Sequence, residues 1–204
     1  MSQASQSNPA LPGTLRLVIA LNLAACAAEI AAAIVAGSVS LIADSIDFLE
    51  DASLNTLVLA GLAWSMRGRA RLGMALALVL LAPTLATAVA AWHRVAVGTP
   101  PAPALVGVTG VVALAINTLC AALLARHRNA GGSLLRAAFL SARNDTIANL
   151  AIIAAAGLTA LTRSFWPDLA VGLAIGLLNA GAAWEIWEAA RDEHQAAGRL
   201  ETDR

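Results

Sequence analysis

Six long apolar runs joined by short polar connectors account for most of the chain: residues 14–36, 40–64, 72–97, 104–125, 137–162 and 167–190. A helix needs roughly 20 apolar residues to cross ~30 Å of hydrocarbon, and each run meets that length. The pattern predicts an all-α protein, a polytopic membrane bundle of six transmembrane helices.

The connectors set the orientation. Arg67, Arg69 and Arg71 fall between the second and third runs, Arg126, Arg128 and Arg136 between the fourth and fifth, and Arg191 and Arg199 after the sixth. The opposite set, Gly37 to Ser40, Gly98 to Pro103 and Arg163 to Trp166, holds one basic residue. Arg-rich connectors stay cytoplasmic, so both termini should face the cytoplasm. Trp64, Trp92, Trp166, Trp184 and Trp187 lie near span ends, where an indole keeps its ring in acyl chain and its N–H at the headgroups. The expected organisation is a disordered cytoplasmic tail over residues 1–13, a transport unit over 14–190, and a short charged tail over 191–204, a frayed helix end. That tail is too short to form a folded regulatory domain.

Composition agrees. Of 204 residues, 59% are hydrophobic and 13% charged, with a mean hydropathy of +0.73, well outside the globular norm. The chain has no Lys, and its 13 basic residues lie mostly in connectors. No basic stripe remains for nucleic acid, which excludes that partner. The apolar start is too long for a signal peptide and has no basic segment before it. The cell membrane is the expected location, with the bilayer as partner. Cys26 and Cys120 sit singly inside apolar runs and read as small buried hydrophobes.

Polar residues inside the runs carry the chemistry. Span two reads GSVSLIADSIDFLEDASLNTLVLAGLAW, with Asp44, Asp47, Glu50 and Asp51 in a segment otherwise suited to lipid. An Asp at a helix centre costs about 2.5–3.5 kcal/mol to insert, so four acids must serve a purpose. Asp44, Asp47 and Asp51 share roughly 60° of one face, and Glu50 lies off its edge as an outer-layer or headgroup-side acid. In span five Asp145 has Ser141 one turn before it and Asn149 one turn after it, with Asn144 expected to point elsewhere. At ~1.5 Å per residue, Asp47 and Asp51 lie ~10–17 Å deep and Asp145 ~12 Å in from the other side, so the three acids can meet near the midplane.

Carboxylates clustered in low dielectric repel, and a divalent ion is their natural partner. Asp47, Asp51 and Asp145, completed by Asn149, Ser141 or water, would make an oxygen shell. Ion and proton compete for those oxygens, so metal/proton exchange follows. The structural alternative has the acids neutralise one another or pair with Arg143, which stands about 160° around the helix from Asp145. In span one, Glu29 and Asn22 share a face and either line the ion path or act as interhelical glue. Asn117 and Asn179 fit interhelical hydrogen bonds. Gly172 and Gly176 form a small-xxx-small face for packing within the subunit or across a homodimer. The three His have no ligand-spaced partner.

Asp51-x-x-x-Asn55 and Asp145-x-x-x-Asn149, in spans that must run oppositely, are what a 3+3 inverted repeat would leave. Transporters use such repeats to place a site at the midplane.

GSVSLIADSIDFLED resembles the second helix of the cation diffusion facilitator family. Glu29, eight residues before the Gly37-Ser38 turn, looks like that family's first helix, and NDTIANLAIIAAAGL with PDLAVGLAIG resembles its fifth and sixth. The resemblance implies a zinc-type efflux antiporter whose ions bind two residues on helix two and two on helix five, here Asp47, Asp51, Ser141 and Asp145. It covers the membrane portion only, without the His-rich loop or the C-terminal metal-sensing domain of many members. Position 47 is Asp where many members have His, and position 141 is Ser where His or Asp is typical. An all-oxygen site tolerates manganese, iron, cobalt or magnesium better than a nitrogen site does, so metal identity is open among these and zinc.

The leading expectation is a divalent cation transporter without cofactors, with Asp44, Glu29, Asn22 and Glu50 along the ion path. An intramembrane enzyme is disfavoured: neither a Gly-x-Gly-Asp turn nor an Asp-Gly-x-x-Ala-Arg stretch is present. The alternative is a non-transporting membrane scaffold or partner subunit.

Overall fold

The computed structural model describes residues 10–62, 64–127 and 132–202. They form α1 (Leu11–Ala36), α2 (Val39–Gly61), α3 (Met66–Val97), α4 (Pro103–Ala125), α5 (Gly132–Thr162) and α6 (Trp166–Thr202). Five are long and apolar enough to cross a membrane. The exception by composition is α2, because of its carboxylates. The expected N-terminal tail lies mostly outside the described residues, but Leu11 to Gly13 already form the first turn of α1, with Pro12 where a missing N–H is harmless.

Three helices outrun their apolar stretches. α3 starts at Met66, so Arg67, Arg69 and Arg71 sit on its first turns and not in a loop. α5 likewise takes in residues 132–136, and α6 continues to Thr202 through the expected frayed tail. Hydropathy sees only the lipid-immersed part of a helix, whereas Arg, Glu and Ala propagate it past the interface. At ~1.5 Å per residue the 37 residues of α6 span about 55 Å, more than the hydrocarbon needs.

Sharp turns hold one end together. Gly37, at φ 65°, closes α1 in the left-handed region. The next residue, Ser38, caps α2 by accepting from the Leu41 N–H at 3.1 Å. Gly98, at φ 71°, closes α3, and the Ala102 N–H donates to the Ala36 carbonyl, tying the α3–α4 loop to the end of α1.

α2 is the hub. It touches each of the other five helices, while α1 also packs on α4, α3 on α6, α4 on α5 and α5 on α6. The most charged span is thereby screened from lipid: Asp44 and Asp51 are fully buried and Asp47 is 8% exposed. The outer faces are apolar, with Leu161 83%, Trp92 79% and Val35 78% exposed. Trp64, Trp166 and Trp184 are exposed as well, as an interfacial belt requires.

Gly172 and Gly176 settle their own question. A Cβ on Gly172 would stand 2.7 Å from the backbone of Val39 and Ser40 in α2, and one on Gly176 3.1 Å from Thr87 of α3. The small face serves packing inside the subunit.

Candidate metal-binding site

A cavity of about 200 Å³ opens between α2, α5 and α6 beside Asp47. α2 supplies Asp47 and Glu50, α6 supplies Ile175, Leu178 and Asn179, and α5 supplies Ser141, Asn144, Asp145 and Ala148. The α5 positions are spaced i, i+3, i+4, i+7, one helical stripe. Asp47 and Asp145 thus face one cavity from different helices, with Glu50 half-buried beside them.

Asp51 lies deeper. Both of its carboxylate oxygens are buried, with the Ser141 hydroxyl their nearest hydrogen-bonding group and Asp145 within electrostatic reach. Asn149, also fully buried, donates to the Asp145 carbonyl at 2.8 Å and, at the long limit of 3.5 Å, to Oδ1 of Asp44. Its own side-chain oxygen finds no donor. Glu29 of α1 is buried next to Asp44, close enough for the two carboxyl groups to share a hydrogen bond when one holds a proton.

A buried carboxyl group inside a membrane bundle is costly, and here Glu29 of α1 and Asp44, Asp47 and Asp51 of α2 gather around one region. Among the described residues, no three His, Cys, Asp or Glu side chains gather closely enough to hold a metal ion. The acids surround the α2–α5 contact without closing on a point.

Several expectations resolve at this site. Asn144, expected to point elsewhere, lines the cavity, because it stands only about 100° around α5 from Asp145 and one turn from Ser141. Asn22 donates to the Val18 carbonyl within α1 at 2.9 Å and approaches Sγ of Cys120 on α4 at 3.9 Å. Asn179 bridges helices as expected, donating to the Ala43 carbonyl at 3.0 Å, and it also borders the cavity. Asn117 is buried without a hydrogen-bond partner, contrary to its expected interhelical bond. Arg143 is exposed and donates to Asn144 at 3.3 Å, so it does not serve as counter-ion to Asp145.

Sequence reading passed over Asp168. In the first turn of α6, its Oδ1 accepts from the Ser38 and Ser40 hydroxyls, both at 2.6 Å, and its Oδ2 from the Val39 N–H at 2.7 Å. This buried acid locks the start of α6 to the start of α2. An acid immediately after the Pro that opens a span was the available signal.

A multi-pass helical bundle whose central helix is buried because it is charged is the architecture of a membrane ion transporter. Residues 15–192 match the family model of the cation efflux transmembrane domain. The chain belongs to the cation efflux family and is a cation transporter of the membrane. No curated protein matches it.

Proposed function

We propose that this protein exports a divalent metal ion from the cytoplasm across the cell membrane in exchange for protons. The ion binds Asp47, Asp51 and Asp145 and is completed by Ser141, Asn149 or water. One observation carries the reading: Asp47 of α2 and Asp145 of α5 face the same cavity, and among the described residues no Arg or Lys borders it. Residues 14–190 are the transport unit, and both termini lie on the cytoplasmic side, where the Arg-rich connectors are.

Divalent ions take oxygen ligands at roughly 2.0–2.6 Å, so binding must draw α5 toward α2. The open arrangement is then one state of an alternating-access cycle, and ion capture closes it. Protons return the carboxylates to neutrality when the ion leaves. With no imidazole at positions 47 and 141, hard ions such as manganese, iron or cobalt are accommodated along with zinc.

The test is reconstitution in proteoliposomes with an imposed pH gradient, screening zinc, cobalt, manganese, iron and magnesium beside Asp145→Ala. Uptake of at least one ion that the variant loses supports the reading. Silence with every ion in several lipids moves it to a scaffold or a subunit needing a partner.

A further inference from the structure

At the end of the bundle that carries Gly37 and Gly98, a groove of about 780 Å³ runs between the α1–α2 turn and α3. Its floor is apolar, including Ile34, Ile42, Leu85 and Val89, and its rim carries His93 and Arg94. From Leu85 to Arg94 the groove follows ten residues of α3, about 14 Å over nine rises of ~1.5 Å, close to half of the ~30 Å hydrocarbon core. An apolar slot one leaflet deep with a guanidinium and an imidazole at its mouth has the shape of a phospholipid.

The charge at the rim is uncompensated. Arg94 Nη1 donates to the carbonyl and hydroxyl of Thr99 at 2.7 and 3.0 Å, and Nη2 donates to the Gly37 carbonyl. These acceptors are neutral, and Nε, itself buried, has none. Asp168, at the start of α6, spends its oxygens on Ser38, Ser40 and Val39. Among the described residues no Asp or Glu lines the groove. A guanidinium held at the interface on an apolar stem, with no protein carboxylate, is complementary to a lipid phosphate.

We propose that this groove binds one anionic phospholipid, its acyl chain along Leu85 and Val89 and its phosphate on Arg94 and His93. The lipid neutralises the cation that bridges the α1–α2 turn to the α3–α4 loop, and so braces that end of the bundle. The site stands apart from the acids of α2 and α5, and its test is independent of transport.

The experiment is native mass spectrometry of the purified full chain titrated with phosphatidylglycerol or phosphatidylcholine of matched acyl chains. The wild type should take its first phosphatidylglycerol about fivefold or more tighter than phosphatidylcholine, given the attraction of an interfacial Arg for anionic lipid. Arg94→Gln should lose that preference. Ala86→Trp fills the groove floor while leaving the cation in place, and should lose the first lipid altogether. Arg163→Gln, an exposed Arg at the same end of the bundle, should behave as wild type. Equal affinity of the wild type for the two lipids, or an undiminished preference in Arg94→Gln, overturns the proposal. Should Arg94→Gln fail to fold, a folded Ala86→Trp that still retains phosphatidylglycerol selectively overturns it as well.

Discussion

The side-chain amide of Asn149 reaches back one turn to the carbonyl of Asp145 at 2.8 Å, as that of Asn55 reaches the carbonyl of Asp51 at 2.7 Å. The two Asp-x-x-x-Asn segments therefore use their Asn in the same way, one in each half of the chain. They part company beyond that bond. Asn149 also touches Asp44, whereas no carboxylate is bonded to Asn55.

That difference predicts different phenotypes. Asn149→Ala frees the Asp145 turn and removes the link to Asp44, and should weaken metal affinity by about 10–100-fold, the usual effect of losing a group that orients ligands. Asn55→Ala should lower stability by about 1 kcal/mol with affinity nearly unchanged. Metal titration by calorimetry and thermal melting in detergent distinguish them. Equal losses of affinity in the two variants would show that both Asn act only through helix packing.

Asp145→Asn and Asp47→Asn keep the size of each side chain and remove one charge from the cavity. Each should abolish metal uptake in proteoliposomes, a larger loss than in Asn149→Ala, while helicity by circular dichroism stays unchanged. Uptake at wild-type rates in either variant would remove that residue from the site.

Much of this was legible in the sequence because lipid makes the constraints stringent. Six apolar runs, an Arg bias between connectors and acids at i, i+3, i+7 each follow from the expense of polar groups in hydrocarbon. Interhelical distance was not legible. Asp44, Asp47 and Asp51 share one face of α2, yet Asp44 meets Glu29 of α1 and Asp47 meets the α2–α5–α6 cavity. Periodicity fixes where side chains stand around one helix, and the neighbours that receive them depend on packing. Arg-rich helical ends were missed for a related reason, since hydropathy marks the edge of lipid and not the edge of the helix.

The join of α2 to α6 should be intolerant of change. Asp168→Ala leaves the Ser38 and Ser40 hydroxyls and the Val39 N–H without their acceptor. Buried charge-assisted hydrogen bonds of this kind suggest a loss of about 3 kcal/mol or more. Gly172→Ala drives a methyl against the Val39–Ser40 backbone, for about 1–3 kcal/mol of overpacking. Both should lower the melting temperature in detergent. Gly181→Ala, where a Cβ meets nothing within 4 Å, is the matched control and should melt at or slightly above the wild type.

Metal binding should depend on pH with a definite sign. Protons and metal compete for the oxygens of Asp47, Asp51 and Asp145, so lowering the pH populates forms that must lose a proton before they can ligate. Affinity should therefore rise with pH, and the logarithm of the binding constant should steepen by about one per pH unit for each proton displaced. Calorimetry in two buffers of different ionisation enthalpy counts those protons directly, because the apparent heat shifts with the buffer by the number released. Asp145→Asn, with one fewer titrating ligand, should release fewer. An affinity that is flat from pH 5 to 8, with no buffer dependence of the heat, would mean that the ion moves without proton exchange.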